Sequence, residues 1–99
     1  MASKPFRFHP EGREDFRNAI RWYRVRSAVA SVEFRITVSD AIREISQVPV
    51  RWPKHLHGTR RFVLDRFPFS VIYLDDSDLV TIVAVAHSKR KPGYWKRRV

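Results

Sequence analysis

The sequence predicts an α+β fold: an N-terminal strand, an antiparallel helical hairpin, then a three-stranded antiparallel meander, with the helices packed on one face of the sheet. Three observations predict it. Apolar residues recur at three- and four-residue steps from Pro10 to about Arg26 and again from Ser27 to just before Pro49, the period of helices with one buried face. Short runs rich in Phe, Val, Ile and Tyr flank those helices on both sides. The C-terminal runs are joined by connections of hairpin length, which makes neighbouring strands antiparallel.

Each element has its own warrant. Phe6 and Phe8 alternate with Arg7 and His9, a period of two that reads as a short strand ending at Pro10. Pro10 suits the first helical position, and Glu11, Glu14 and Asp15 complement the positive end of the helix dipole. In the first helix Phe16, Ala19, Ile20 and Tyr23 share a face, Arg13, Arg17, Arg21 and Arg24 form a neighbouring stripe, and Trp22 lies off the apolar face. Ser27 is placed to cap the second helix, whose buried stripe is Phe34, Val38, Ala41, Ile42 and Ile45. Prolines and the lack of periodicity make Val50 to His57 a loop or an irregular edge strand. Strands are then expected at Phe62 to Arg66, Phe69 to Leu74 and Leu79 to Ala86. The last is apolar on both faces, which suits a central position, and the sheet face away from the helices is expected to be free for function.

Length and composition bound the rest. A chain of 99 residues makes a single domain, 1–99, that must gather nearly all its apolar side chains into one core. The absence of Cys excludes disulfides and thiolate metal sites and suits a reducing compartment, so a cytoplasmic protein is expected. Residues Met1 to Pro5 lack an apolar signal stretch, and the longest apolar run, Leu79 to Ala86, is too short to cross a bilayer. Twenty Lys and Arg against ten Asp and Glu give a net charge of +10, which calls for an anionic partner. The excess is mostly C-terminal: residues 1–50 carry nine basic and six acidic residues, residues 51–99 eleven and four.

Four segments carry a family resemblance. They are Phe8 to Glu11, Ala19 to Tyr23, Arg66 to Tyr73, and Val83 to Trp95. In this order and within this length, the chain resembles the RelE/ParE superfamily of toxins from type II toxin–antitoxin systems. The resemblance implies the fold outlined above and a cognate acidic antitoxin whose segment folds over the toxin, in a heterotetramer or larger complex. It implies growth arrest by one of two routes, cleavage of messenger RNA on the ribosome or inhibition of DNA gyrase.

The residues lean towards cleavage. Metal-independent RNA cleavage needs a base, an acid and cations for the developing phosphorane charge. His87, at the end of the central strand, and Tyr94 are the expected proton carriers, with Arg61, Arg66 and Arg90 as the catalytic cations. Further contacts to nucleic acid are expected from Lys54, His55, His57 and Arg60 in and after the loop and from Lys89, Lys91, Lys96 and Arg97 in the tail. Tyr94 and Trp95 are expected to anchor the tail by packing, leaving the Tyr94 hydroxyl free. Arg17, Arg21, Trp22 and Arg24 are the expected antitoxin contacts. Ser70 stands where ribosome-dependent cleavers of the superfamily carry an Arg, so Arg61 or Arg66 would have to replace that cation. No acidic residue follows Asp78 to act as a base. A zinc site built from His55, His57 and His87 is disfavoured without Cys, and neither metal nor cofactor is expected. Outside the superfamily stands a non-toxic basic nucleic-acid-binding module, which would need exposed stacking aromatics, whereas Phe62, Phe69 and Tyr73 fit a core equally well.

Overall fold

The computed structural model describes residues 3–99, so the reading of the polar N-terminus lies partly outside it, at Met1 and Ala2. Strand β1 (Phe6–Phe8) leads into helix α1 (Pro10–Arg26), helix α2 (Ala28–Gln47), and strands β2 (Arg60–Val63), β3 (Phe69–Asp75) and β4 (Val80–His87). The sheet order is β1-β4-β3-β2, with β1 parallel to β4 and the other pairs antiparallel. The central place of β4 follows from its composition. Seven of its eight residues are buried, which only a strand covered on both faces and both edges allows.

The helix ends are set by local chemistry. The His9 ring caps α1, its Nδ1 accepting from the Glu11 amide at 3.1 Å. Ser27 closes α1 through its amide, which donates to the Tyr23 carbonyl, and opens α2 through its Oγ, which accepts from the Ala30 amide at 3.1 Å. One residue between two helices forces an antiparallel hairpin. Helix α1 then lies close on the sheet at Gly12, where a Cβ would come within 2.8 Å of the carbonyl oxygens of Ile82 and Val83.

The main core forms where α2 faces the sheet. Phe34, Val38, Ala41, Ile42 and Ile45 meet Val71, Tyr73, Val80, Ile82 and Val85, with Phe8 and Phe16 stacked at 5.9 Å along its edge. Burying a side chain of this size stabilises by about 1.5–3 kcal/mol. The Tyr73 hydroxyl, fully buried, donates to the Pro49 carbonyl, fixing the start of the loop after α2.

Two expectations need correction. The strand placed at Phe62 to Arg66 instead runs from Arg60 to Val63. Leu64 to Pro68 form a turn in which the Leu64 amide donates to the Phe69 carbonyl and the Phe69 amide to that of Phe67. Pro68 offers no N–H for a ladder, so the chain turns early, while the start of β2 gains a second partner through a bridge between Lys54 and Arg60. The second correction concerns the far sheet face, which is not free. Trp95, 2% exposed, covers Ile72, Val83, Ala84 and Ala86 there, so the tail forms a third layer.

Candidate functional site

The tail reaches its position through a short basic stretch and a left-handed turn. His87 ends β4, and its Nδ1 accepts from the Lys89 amide at 3.0 Å. Gly93 adopts φ 82, a conformation that favours glycine, and the next two residues place their rings against the domain. The loop meets the tail here. The His55 ring lies 5.4 Å from that of Trp95, and a Cβ on Gly93 would sit 3.2 Å from His57 Nε2. His57 itself holds a left-handed conformation at φ 58.

Asp15 organises the polar side of the tail. Its Oδ2 accepts from the Tyr94 hydroxyl at 2.8 Å, from Arg98 Nη1 at 2.7 Å and from the Val85 amide at 3.3 Å. Arg98 Nη1 also donates to the Val83 carbonyl at 3.0 Å, and the Arg98 Nε lies 3.4 Å from Glu11. The Arg90 guanidinium covers the Tyr94 ring at 3.7 Å and approaches Asp15 at 4.0 Å. Burial, and then the hydrogen bond to Asp15 and its charge, raise the Tyr94 hydroxyl pKa well above the ordinary tyrosine value.

The expected catalytic residues divide. His87 and Arg61 line one small cleft with Ser70, Ser88 and Arg90, on the tail side of the sheet. Arg66 is held elsewhere, in an ion pair with Glu33 of α2. The Tyr94 hydroxyl is not free, because it donates to Asp15. His87 is also constrained. A ring whose Nδ1 accepts from an amide carries its proton on Nε2, so it offers a donor there and not a base.

The other expected contacts are similarly sorted. His55 joins the cleft, and burial, with the charges of Arg61 and His57 adding to it, lowers its pKa. Arg60 turns away, donating to the carbonyls of Val50 at 3.2 Å and Trp52 at 2.7 Å. Lys54 lies on the loop's bridge to β2, while Lys89, Lys91, Lys96 and Arg97 are exposed along the tail.

On α1, Arg17 pairs with Glu14 at 3.5 Å, Arg21 donates to Asn18 at 3.2 Å, and Arg24 is exposed. Trp22 is 53% exposed beneath the Arg26 guanidinium, which lies 3.7 Å from its ring. It walls an apolar groove of about 340 Å³ between α1 and the sheet, completed by Tyr23, Pro68, Phe69 and Val85.

Sequence reasoning missed Asp15 and Arg98 as a pair. Asp15 was legible only as an N-terminal helix acid, and Arg98 only as part of a basic terminus. Nothing in their spacing, 83 positions apart, signals contact.

A strand, a helical hairpin packed on a sheet and a basic tail folded over the far face together define a toxin of the RelE/ParE superfamily. The chain matches the family described as ParE toxin of type II toxin-antitoxin system, parDE, over residues 6–92. A solved structure described as the chromosomal ParDE TA system from P. aeruginosa superimposes with a TM-score of 0.75 at 16% identity, covering 86% of this chain and 96% of that one. Comparison with curated proteins finds no match. The chain belongs to the ParE toxin family of type II toxin–antitoxin systems, which implies a cognate antitoxin as partner.

Proposed function

We propose that this toxin arrests growth by binding DNA gyrase in the cytoplasm, without cutting RNA. The observation that supports this most directly is the hydrogen bond from the Tyr94 hydroxyl to Asp15. It takes up the carboxylate nearest the cleft, and with the raised pKa it makes Tyr94 a poor acid. With His87 presenting a donor, His55 is the one imidazole of the cleft left to deprotonate a 2′-hydroxyl, and its ring packs against Trp95. Binding needs no such group.

The antitoxin meets the toxin along α1. Trp22 and its groove offer a socket for an apolar side chain, and Arg17, Arg21 and Arg24 offer cations to the acidic residues of the same segment. Pairing of two such units gives a heterotetramer or larger assembly.

Messenger RNA cleavage is the second reading. One feature favours it, the basic cleft holding Arg61, His55 and His87. Inducible expression in a bacterium, followed by growth, transcript integrity and plasmid supercoiling, separates the two. The expected result is arrest with altered supercoiling and intact transcripts, in the wild type and in His87→Ala alike. Transcript fragments that disappear in His87→Ala would overturn the gyrase reading in favour of cleavage.

A further inference from the structure

The cleft between β2, β3 and the tail combines features that the proposed gyrase binding does not use. Its volume is about 70 Å³, room for roughly two waters, which suits a single oxyanion. Its lining includes the cationic or hydrogen-bonding side chains of Arg61, His55, His87, Ser70, Ser88 and Arg90, and no carboxylate. Arg61 reaches it from β2, where it pairs with Ile72 of β3. Ser70 lies two residues before Ile72 and opposite Ala86 of β4, so the side chains of Arg61 and Ser70 point to the tail side of the sheet.

Arg90 and Tyr94 turn to Asp15, and the other donors of this cleft are less engaged. Among the described residues the Arg61 guanidinium forms neither an ion pair nor a side-chain hydrogen bond, whereas Arg17, Arg43, Arg66, Arg90 and Arg98 each face a carboxylate. Neither the Ser70 nor the Ser88 hydroxyl has a hydrogen-bond partner among those residues. His87 carries Nε2–H, and the His55 ring is half-buried near Arg61 and His57, where desolvation and like charge disfavour its protonation. The one nearby carboxylate, Asp15, is already engaged by Tyr94 and Arg98. Unpaired donors around an anion-sized hollow are the makings of an oxyanion site.

We infer that this cleft binds one phosphate of a nucleic-acid backbone, with Arg61 as the principal cation and Ser70, Ser88 and His87 as further hydrogen-bond donors. Ser70, which removes a cation from β3, leaves space for the Arg61 guanidinium arriving from the neighbouring strand. The contact proposed is one of binding alone. It lies on the tail side of the sheet and adjoins the antitoxin surface proposed on α1, because His87 and Arg90 also line the groove beside Trp22.

The test is titration of the full chain with three fluorescently labelled probes of equal length, single-stranded DNA, duplex DNA and single-stranded RNA, over a range of salt concentrations. Arg61→Gln is compared with Arg35→Gln, which removes the same charge from an exposed position on α2. Arg61→Gln is expected to weaken binding about tenfold, the loss of one charge-assisted contact. It should also reduce the salt dependence by about one phosphate's worth, a slope change of roughly 0.7–0.9. Arg35→Gln should change the slope little. The three probes identify the source: equal loss on all of them means that the phosphate itself is read, and loss on one means that its backbone shape is read as well. Ser70→Asp, which places a carboxylate in the cleft, should weaken binding in the same way, and a circular dichroism spectrum matching wild type confirms that either variant is folded. In a second measurement, inorganic phosphate should shift the His55 and His87 ring signals by NMR in the wild type and not in Arg61→Gln. Equal effects of Arg61→Gln and Arg35→Gln, or phosphate shifts that persist without Arg61, would overturn the site and leave only diffuse attraction to a basic surface.

Discussion

Arg98 and Asp15 meet at 2.7 Å although 83 positions separate them, and their side chains are only 11% and 9% exposed. The pair closes the tail over the sheet and ties the last turn of the chain to the first helix. Removing Asp15 takes from Arg98, Tyr94 and the Val85 amide their shared acceptor, and leaves Arg98 the Val83 carbonyl and the exposed Glu11.

Asp15→Ala is therefore expected to destabilise the fold by about 3–5 kcal/mol, the range for breaking a buried pair. Glu14→Gln, which removes the exposed partner of Arg17, should cost about 0–1 kcal/mol. Urea unfolding of the two variants checks the contrast. A similar small loss for both would mean that the tail is held by Trp95 alone.

Trp95→Ala opens the far sheet face. Truncating a fully buried Trp costs about 3–5 kcal/mol, and Ile72, Val83 and Ala84 would lose their cover. The variant should unfold at lower urea and bind a dye for exposed apolar surface before the main transition.

Gly12→Ala sets two effects against each other. Alanine favours a helix interior by about 1 kcal/mol, but its methyl group would meet two backbone carbonyl oxygens at 2.8 Å, and overpacking of this kind costs about 1–3 kcal/mol. Backbone atoms of the central strand have little room to yield, so the steric effect should win. A rise in thermal midpoint would show that α1 moves off the sheet at little cost.

Tyr73 makes the fold sensitive to alkali. Burial raises its hydroxyl pKa from 10.0 to about 12, with Asp75 adding to the rise and Arg60 opposing it. The unfolded chain ionises first, so the stability contributed by the neutral hydroxyl is fully present below pH 10 and is lost as the pH rises towards 12. Tyr73→Phe should flatten that part of the stability profile. An unchanged profile would assign the alkaline loss to Tyr94, whose pKa is also raised.

His55 gives the opposite dependence on acid. Its pKa is lowered below 6.5 by burial and then by the charges of Arg61 and His57, so the folded chain resists a proton that the unfolded chain accepts. Its contribution is complete above pH 6.5 and falls as the pH drops through that value. Its ring signals, followed by NMR, should titrate below the range of an exposed histidine.

Much of the fold was legible because it is locally encoded. The helical stripes, the Ser27 cap and the proline stops act over a few residues, and each appears where its spacing places it. The strand around Phe62 was misplaced because Lys54 and Pro53, distant in spacing but adjacent in space, pair with its start, while Pro68 ends it early. The site was less legible. His87, Arg61 and His55 were named from charge and position, and they do share a cleft. Arg66 was named on the same grounds and is paired with Glu33 on a different element.

Periodicity, capping and net charge are properties of neighbours along the chain, and they were enough to define a basic α+β domain with a central apolar strand. The role of the tail emerged only once the chain had closed on itself. Folding brought Asp15 beneath Tyr94 and Arg98, covered the far sheet face with Trp95, and left Arg61 without a carboxylate partner among the described residues. Those outcomes depend on which surfaces meet in three dimensions. A buried carboxylate draws in whatever donors folding places beside it, and no local pattern records that choice.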